Sequence, residues 1–214
     1  MHENTVELIG FYGGDESHAL SAWTSTSREL TEEKAKRMGK LLSYLAEHGH
    51  HTPFEKSTLH FLVTCDTASH IHLIKHRVGV SINGESARYK EHTEDKWLLP
   101  EDWSESERRR LKNFNVAAFA NYHAAIERLV AAGMDRKRAK ESARFYLPYS
   151  SQVTLDVSFN FRSFMHFQGL RNKPDAQKEI RDIAGSMLEL VRETGEFDLS
   201  LEAFGYGREH GRLE

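Results

Sequence analysis

The stretch Val153–Asn160, VTLDVSFN, is the clearest strand pattern in the sequence. Its residues alternate between apolar and polar types, with Val153, Leu155, Val157 and Phe159 set against Thr154, Asp156, Ser158 and Asn160. Strict alternation is typical of a strand that has one buried and one more exposed face. From Arg162 to Leu170 the apolar spacing becomes helical, so the pattern predicts a strand followed directly by a helix.

The same change of period recurs along the chain. Thr5 to Tyr12 and Ser57 to Cys65 have strand patterns, and Cys65 is in phase with the apolar set. Helices are predicted after Thr31, an N-cap candidate, and after Ser104, which begins a capping-box pattern. Because strands alternate with helices rather than segregating from them, the sequence predicts one α/β domain.

Two helix predictions specify which side chains are buried. Ala68 to Arg77 has helical spacing, with one apolar face (Ile71, Ile74 and Val78) and one polar face (His72, Lys75 and His76). The long helix after Ser104 is expected to bury a stripe formed by Leu111, Phe114, Ala118, Ala125 and Leu129.

Composition and charge argue against several classes of protein. The 214 residues carry a formal net charge of -3, so no global basic field indicates a nucleic-acid partner. The single cysteine, Cys65, excludes an intrachain disulfide and suits a reducing compartment. No stretch approaches the length of a membrane span, and the N-terminus lacks a signal-peptide pattern. We therefore expect a cytoplasmic protein with neither a membrane nor a nucleic-acid partner.

The segment from His70 to Lys90 is rich in hydrogen-bond donors. A glycine-containing loop is predicted after the helix, and it carries Ser81, Asn83, Ser86, Arg88 and Tyr89. Serine, arginine and backbone N–H groups are the usual ligands of phosphate. An anion site is one interpretation, and from composition alone a solvated basic helix end is an equally good one.

Two other segments carry conspicuous polar groups. Arg162 and His166 share one face of the predicted helix, and Arg171 lies at its C-terminal end. No acid stands at pairing distance along the sequence, which favours a ligand role for both arginines. Histidines crowd between Glu47 and Lys56, but zinc ligation needs defined spacing and no HExxH or CxxC partner is present, so no metal site is predicted.

These segments resemble the motifs of the flavin-dependent thymidylate synthases. Lys75–Tyr89, KHRVGVSINGESARY, is similar to the family signature Arg-His-Arg, a short spacer and Ser-x-Asn-x-x-Ser-x-Arg-Tyr. His48–Glu55, HGHHTPFE, looks like His-Gly-His-x-Thr-Pro-Phe-Glu, and Asn160–Arg181 is similar to the Asn-x-Arg-Ser and Leu-Arg blocks. All three occur in the family's order from about Ser27 onward. The resemblance implies one such domain over residues 1–214, with a mixed, mainly antiparallel sheet and flanking helices.

The resemblance also implies an activity and its cofactors. The reaction is the reductive methylation of dUMP to dTMP, with 5,10-methylenetetrahydrofolate as carbon donor, FAD as hydride carrier and NADPH as reductant. FAD would lie where several subunits of a homotetramer meet. The residues implied at FAD are Ser27, Thr52, Lys75, His76, Arg77, Asn160, Arg162 and His166.

The residues that the resemblance implies at dUMP are His72, Lys75, Glu85, Ser86, Ala87, Arg88 and Arg171. Arg88 is expected to bind the phosphate as a bidentate donor. Arg171, expected to be catalytic, would face the uracil ring and stabilise negative charge there. Ser86 is the second residue expected at the chemistry. It would orient the substrate by hydrogen bonding, because no sequence feature supplies the base that a serine nucleophile needs.

Four features depart from the family pattern. Lys75 replaces the first arginine of the signature and loses its bidentate fork, and one extra residue lies between Arg77 and Ser81. His72 stands where a glutamine is usual. Thr154 stands where some members have an arginine that helps hold the nucleotide. All four departures concern contacts with the nucleotide.

Several other functions stay open from the residues alone. A family relative that hydroxymethylates dUMP would use the same flavin and folate sites, and a non-enzymatic nucleotide-binding module would share the anion site. A metal-dependent hydrolase would be built on the histidine clusters. A thiol-dependent synthase would need a reactive thiolate, whereas Cys65 is expected to be an inert core thiol.

Overall fold

The computed structural model describes residues 3–86, 91 and 94–207. The strands in these residues are β1 (Thr5–Tyr12), β2 (Thr58–Asp66), β3 (Val80–Gly84) and β4 (Gln152–Phe159). The α-helices are α1 (Asp15–Trp23), α2 (Glu32–Glu47), α3 (Thr67–Leu73), α4 (Glu105–Ala131), α5 (Arg136–Ala143), α6 (Phe161–Arg171), α7 (Lys178–Thr194) and α8 (Asp198–Ala203). Short 3-10 helices occupy Thr52–Glu55 and Arg144–Tyr146.

The strands form one four-stranded sheet in the order β1-β2-β4-β3. The Asn160 N–H donates to the Gly79 carbonyl at 2.9 Å, and the Glu85 N–H donates to the Thr154 carbonyl at 3.0 Å. From the first of these bonds to the second, the residue number rises along β3 and falls along β4. The two strands are therefore antiparallel. The predicted α/β class, with a mainly antiparallel sheet and flanking helices, is confirmed.

The alternation of β4 has the predicted consequence for burial. Leu155, Val157 and Phe159 are each at most 1% exposed, whereas Asp156 is exposed. The Phe159 ring then packs against Phe164 of α6, with ring centroids 5.9 Å apart and planes inclined at 69°. Such an edge-to-face pair stabilises a core by about 0.5–1.5 kcal/mol beyond its burial. This packing fixes α6 on the buried face of the strand that precedes it.

The chain forms two compact units. The first unit comprises Met1–Thr5, Val63–Ile74 and Asn83–Leu155, and the second comprises Val6–Leu62, Lys75–Ile82 and Asp156–Glu214. In the first unit α4 packs against α5, and in the second α2 packs against α8 and α6 against α7. The assignment of residues 1–214 to one domain stays a prediction.

The prediction of one helix from Ala68 to Arg77 was wrong in extent. Helix α3 begins after Asp66, whose side chain accepts a hydrogen bond from the Ser69 N–H, and it ends at Leu73. Ile71 and Ile74, expected to be buried, are 36% and 41% exposed. The predicted loop that follows contains strand β3 instead. The helical spacing of the apolar residues therefore continues in the sequence beyond Leu73, where the helix ends.

The buried face of α4 agrees with the prediction at its two alanines but not at Phe114. Phe114 is 59% exposed, whereas Phe119 and Tyr122 are at most 1% exposed. Tyr122 belongs to a buried cluster with Ala139 and Ala143 of α5. Both faces of α4 have helical spacing, so the position of α5 decides which of them is buried.

A buried histidine, His18 of α1, links three segments of the second unit. Its Nδ1 lies 2.9 Å from the Ser200 Oγ, and its Nε2 lies 2.8 Å from the Ser57 Oγ. The ring also contacts Phe54 and Phe161, with centroids 5.3 and 5.2 Å away. Burial in these surroundings disfavours the charged imidazolium and lowers the pKa of His18 from 6.5 to about 4.

We predict that the stability of the protein falls in acid because of His18. The unfolded chain takes up a proton near pH 6.5 that the folded chain does not take up until about pH 4. The stabilisation is therefore complete above pH 6.5 and is lost as the pH falls from 6.5 to about 4, by about 3 kcal/mol. Chemical denaturation at several pH values should show this loss.

An NMR titration of the imidazoles isolates the His18 contribution. His60, whose side chain is 38% exposed, provides an internal comparison within the same protein. A His18 ring that titrates near pH 6.5 in the folded protein would contradict the prediction.

Candidate active site

Within the second unit, residues at the N-terminus of α6 donate hydrogen bonds to the backbone carbonyls of Val78 and Gly79. The Asn160 side chain caps the helix by accepting a hydrogen bond from the Ser163 N–H at 2.8 Å. The Ser163 hydroxyl donates to the Val78 carbonyl at 2.6 Å, and the Asn160 N–H donates to the Gly79 carbonyl at 2.9 Å. The Asn-x-Arg-Ser motif therefore has a structural task in addition to any ligand contact.

Only glycine fits at position 79. Its φ of 65° lies in the left-handed region, which side chains with a Cβ rarely adopt. A Cβ there would lie 2.3 Å from the Asn160 Nδ2 and 2.4 Å from the Ser163 Oγ. The connection from Arg77 to β3 passes so close to the start of α6 that it has no room for a Cβ at position 79.

His76 and Arg171 are in direct contact. The Arg171 Nε–H donates to the His76 Nε2 at 3.2 Å. Because a guanidinium can only donate, this bond requires a neutral His76 whose proton is on Nδ1. The His76 ring is 8% exposed and packs edge-on against Phe167 of α6, with centroids 5.0 Å apart. Two residues predicted from separate motifs thus form one pair.

A groove of about 630 Å³ runs along α6 in the second unit. Its polar lining includes Arg162 and His166, the pair predicted to share a helix face. The lining consists of His51, Val78, Arg162, Ser163, Met165, His166, Gly169, Leu170, Phe204 and Tyr206. The His166 ring also lies 5.9 Å from the His76 ring, between centroids. The predicted flavin residues Arg162, His166 and His76 are therefore neighbours.

Arg162 has an acid partner that is remote in sequence, although no acid stands at pairing distance along the chain. Its Nη1 lies 2.5 Å from the Glu55 Oε1, across 107 residues of sequence. Both side chains are partly exposed, at 48% and 31%, so the pair adds little stability. It does orient the guanidinium at the groove, and it ties the HGHHTPFE segment to α6.

The remaining predicted flavin and nucleotide residues of the second unit are exposed. Lys75 and Arg77 flank the buried His76 in the segment after α3. Thr52 begins a 3-10 helix, and Ser27 accepts a hydrogen bond through its carbonyl from the Lys34 ammonium. Thr52 and Ser27 are not among the described residues that line the groove.

The first unit has a separate cavity of about 770 Å³. It is lined by two predicted nucleotide residues, Glu85 and Ser86, and by Thr154. The other lining residues are Thr64, Thr67, His70, Glu94, Lys96, Arg144, Phe145, Leu147, Pro148, Tyr149, Ser151, Gln152 and Val153. His72 lies in the last turn of α3 and is half-buried. Ala87 and Arg88, the other predicted nucleotide residues, lie outside the described residues.

The position of Glu85 follows from the sheet. Its N–H donates to the Thr154 carbonyl at 3.0 Å, and its carboxylate accepts from the Thr154 N–H at 3.2 Å. The Thr154 hydroxyl in turn lies 3.0 Å from that of Thr64. Burial also lowers the pKa of His70, another residue of the lining. The backbone of β4 thus holds Glu85 at the cavity wall.

Sequence reasoning missed several residues of these two sites. His51, Phe204 and Tyr206 line the groove. Tyr206 is held in place by its carbonyl, which accepts from the Arg192 guanidinium at 2.9 Å. Arg144 lines the cavity of the first unit. His51 lies within the HGHHTPFE motif but was not assigned to the site, and no local pattern marks Phe204, Tyr206 or Arg144, which other parts of the fold bring to the sites.

In the part of the chain that the structure describes, no group of three or more histidine, cysteine, aspartate or glutamate residues could hold a metal ion. No helix among these residues is long and apolar enough to cross a membrane.

Comparisons with known proteins agree with the motifs. A family model described as "Thymidylate synthase complementing protein" matches residues 7–194. Proteins named flavin-dependent thymidylate synthase in Kosmotoga olearia and Thermosipho melanesiensis are 30% and 31% identical to the chain. Each alignment covers 90% of this chain, and they cover 86% and 87% of the respective relatives.

Solved structures are similar to the whole fold. A crystal structure of the UMP/dUMP methylase PolB from Streptomyces cacaoi, bound with 5-Br dUMP, has a TM-score of 0.77 and 28% identity. The match covers 96% of each chain. A second structure of PolB, bound with 5-Br UMP, has a TM-score of 0.73. The matches define the chain as a methyltransferase enzyme. More narrowly, it belongs to the flavin-dependent thymidylate synthase family.

Cys65 is a buried thiol, as predicted. It is 0% exposed at the end of β2. Burial, together with the charge of the adjacent Asp66, raises the pKa of its thiol from 9.0 to about 12. A covalent mechanism needs the thiolate, which this environment disfavours. The structure therefore argues against the thiol-dependent alternative.

We predict that Cys65 resists alkylation in the folded protein. The rise in pKa from 9.0 to about 12 lowers the thiolate fraction at pH 8 by about 10³-fold relative to an ordinary thiol. Burial slows the reaction further. Because the chain has a single cysteine, mass spectrometry after iodoacetamide treatment measures this reaction directly. The same chain in denaturant is the control, and comparable rates in both states would contradict the prediction.

Proposed function

We propose that the chain catalyses the reductive methylation of dUMP to dTMP, with FAD as hydride carrier, NADPH as reductant and 5,10-methylenetetrahydrofolate as carbon donor. The observation that carries the proposal is the gathering of motif residues around α6. His76, Arg171 and His166 come from two motifs and form one contiguous group. The family relatives and the pyrimidine nucleotide methylase PolB support the same chemistry.

The groove along α6 fits a flavin in its chemistry. Arg162 and His166 offer donors for phosphate and ring oxygens, while Val78 and Leu170 offer apolar surface. The proposed FAD residues also include Ser27, Thr52, Lys75, His76, Arg77 and Asn160. When bound, FAD would carry reducing equivalents between the nicotinamide and the one-carbon unit. The protein would contribute binding and orientation.

Arg171 is the proposed counter-charge for the pyrimidine ring. Its Nε–H is donated to His76, and among the described residues the four N–H groups of its two terminal nitrogens are left for a ligand. An arginine does not release its proton near neutral pH, so it acts as a fixed donor rather than as a general acid. A neutral His76 holds this donor in place without competing for negative charge.

The first unit would bind the nucleotide beside Glu85 and Ser86, with Ser86 orienting the substrate. His72, Ala87 and Arg88 complete the proposed nucleotide set of this unit, with Arg88 at the phosphate. The second unit carries the proposed nucleotide residues Lys75 and Arg171. We also propose a homotetramer in the cytoplasm, with no membrane or nucleic-acid partner. The exposed apolar side chains of Ile71, Ile74 and Val78 are consistent with burial by another subunit.

Three other functions are to be tested beside the first. PolB is described as acting on UMP as well as dUMP, so UMP is a second candidate substrate. Hydroxymethylation of dUMP would use the same carbon donor. A nucleotide-binding module without catalysis is the alternative from a different class, and it would bind dUMP without turning it over.

We predict that the purified protein binds FAD and converts dUMP to dTMP. The visible absorption of flavin should copurify or appear after FAD is added and excess is removed. Mass spectrometry of the nucleotide product with dUMP and with UMP identifies the group added to the ring. Reactions that omit NADPH or 5,10-methylenetetrahydrofolate are the controls.

Each outcome of this assay has a distinct meaning. A methyl product from dUMP supports the proposal, and a hydroxymethyl product favours the family alternative. A protein that neither binds added FAD nor converts dUMP would refute the proposal.

We predict that Arg171→Ala lowers kcat for dUMP by about 10²–10³-fold, the effect of losing one donor to developing charge. Arg171→Lys should recover only part of the rate, because a point charge cannot copy the fork. His76→Ala should also lower kcat, and the double variant should be no worse than Arg171→Ala alone, since the two side chains touch. Steady-state kinetics on flavin-loaded protein measure these effects.

Arg110→Ala is the matched control for the arginine variants. Arg110 is 77% exposed and pairs with Glu107 on its own helix, so its removal should leave kcat unchanged. If Arg171→Ala raises KM and leaves kcat intact, the assigned role of Arg171 is wrong.

A further inference from the structure

Two adjacent side chains of the 3-10 helix at Thr52–Glu55 contact two adjacent residues of α6. Phe54 is fully buried, and its ring centroid lies 6.2 Å from that of Phe161. The next residue, Glu55, accepts a hydrogen bond from the guanidinium of Arg162 at 2.5 Å. The apolar contact lies in the core, whereas the ionic contact involves a residue that lines the groove along α6, where FAD is proposed to bind.

The fold does not depend on the ionic contact. The Phe54 ring also lies 5.3 Å from that of His18 and 4.9 Å from that of Phe204, between centroids, so the 3-10 helix is held in the core without Glu55. The side chains of Glu55 and Arg162 are 31% and 48% exposed, and ion pairs at that exposure contribute little to stability. The removal of Glu55 should therefore leave the protein folded.

The carboxylate of Glu55 uses one donor of Arg162. It engages Nη1, and in the described part of the chain the other four N–H groups of the guanidinium have no acceptor. A phosphate can therefore bind the same side chain at the same time. An arginine that is already held in place loses less conformational freedom when it binds a ligand. This geometry prepares Arg162 for an anion and leaves room for that anion to bind.

We propose that Glu55 is a positioning residue for the flavin, which orients Arg162 toward the pyrophosphate of FAD. The inference rests on the proposed function, because it assumes FAD in the groove. Charge and orientation predict opposite effects of losing Glu55. Removal of a carboxylate beside an anion site relieves repulsion and would by charge alone strengthen FAD binding, whereas loss of orientation weakens it. The direction of the change in affinity therefore separates the two roles.

Titration of the flavin-free full-length protein with FAD, followed by flavin fluorescence, tests the assignment. Glu55→Ala should raise the Kd for FAD by about 3- to 10-fold, the range expected when one flexible side chain must be immobilised on binding. Glu55→Gln should retain most of the affinity, because its carboxamide oxygen still accepts from the guanidinium. Arg162→Ala should itself bind FAD more weakly, and the addition of Glu55→Ala to it should have no further effect.

Glu107→Ala is the matched control. Glu107 accepts from the Nη1 of Arg110 at 2.9 Å, and neither residue lines the groove, so the Kd for FAD should not change. Unchanged or tighter FAD binding by Glu55→Ala would overturn the assignment, as would an equal loss in the Arg162→Ala background or no FAD binding by the wild type. A wild type that binds FAD with these effects but does not convert dUMP to dTMP would refute the proposed function alone.

Discussion

The hydrogen bonds at the start of α6 are the constraint on which the rest of the second unit depends. The Asn160 and Ser163 groups hold the backbone of Val78 and Gly79 against the helix. This attachment determines where His76 can lie, and His76 in turn holds Arg171 at the other end of the same helix. Capping of one helix and placement of one guanidinium are therefore parts of a single network.

Part of the fold could be predicted from the sequence because it depends on local residue patterns. The alternation in β4 and the caps at Thr31 and Ser104 depend on neighbours within a few residues, and the structure has them as expected. The end of α3 could not be predicted in this way. It is followed by a backbone segment held from Ser163, 85 residues away along the chain.

The candidate site likewise contains residues that the sequence indicates and contacts that only the fold creates. The motifs singled out His76, Arg162, His166 and Arg171, and the fold brings these residues together on or beside α6. The partner of Arg162 lies 107 residues earlier, at Glu55, so no pattern in either segment alone reveals it. Residues such as Tyr206 reach the groove only because distant helices carry them there. Tertiary packing, rather than residue type, decides these contacts.

The length of α6 carries a consequence for how this enzyme can change in evolution. One added or deleted residue rotates everything beyond it by about 100° around the helix axis. Such a change between Arg162 and Arg171 would turn one of these side chains away from the other while both remained intact. By its resemblance to the family signature, the segment between Arg77 and Ser81 is one residue longer than the usual spacer. Variation in length should thus accumulate in that connection, and α6 should keep a constant residue count across diverging lineages.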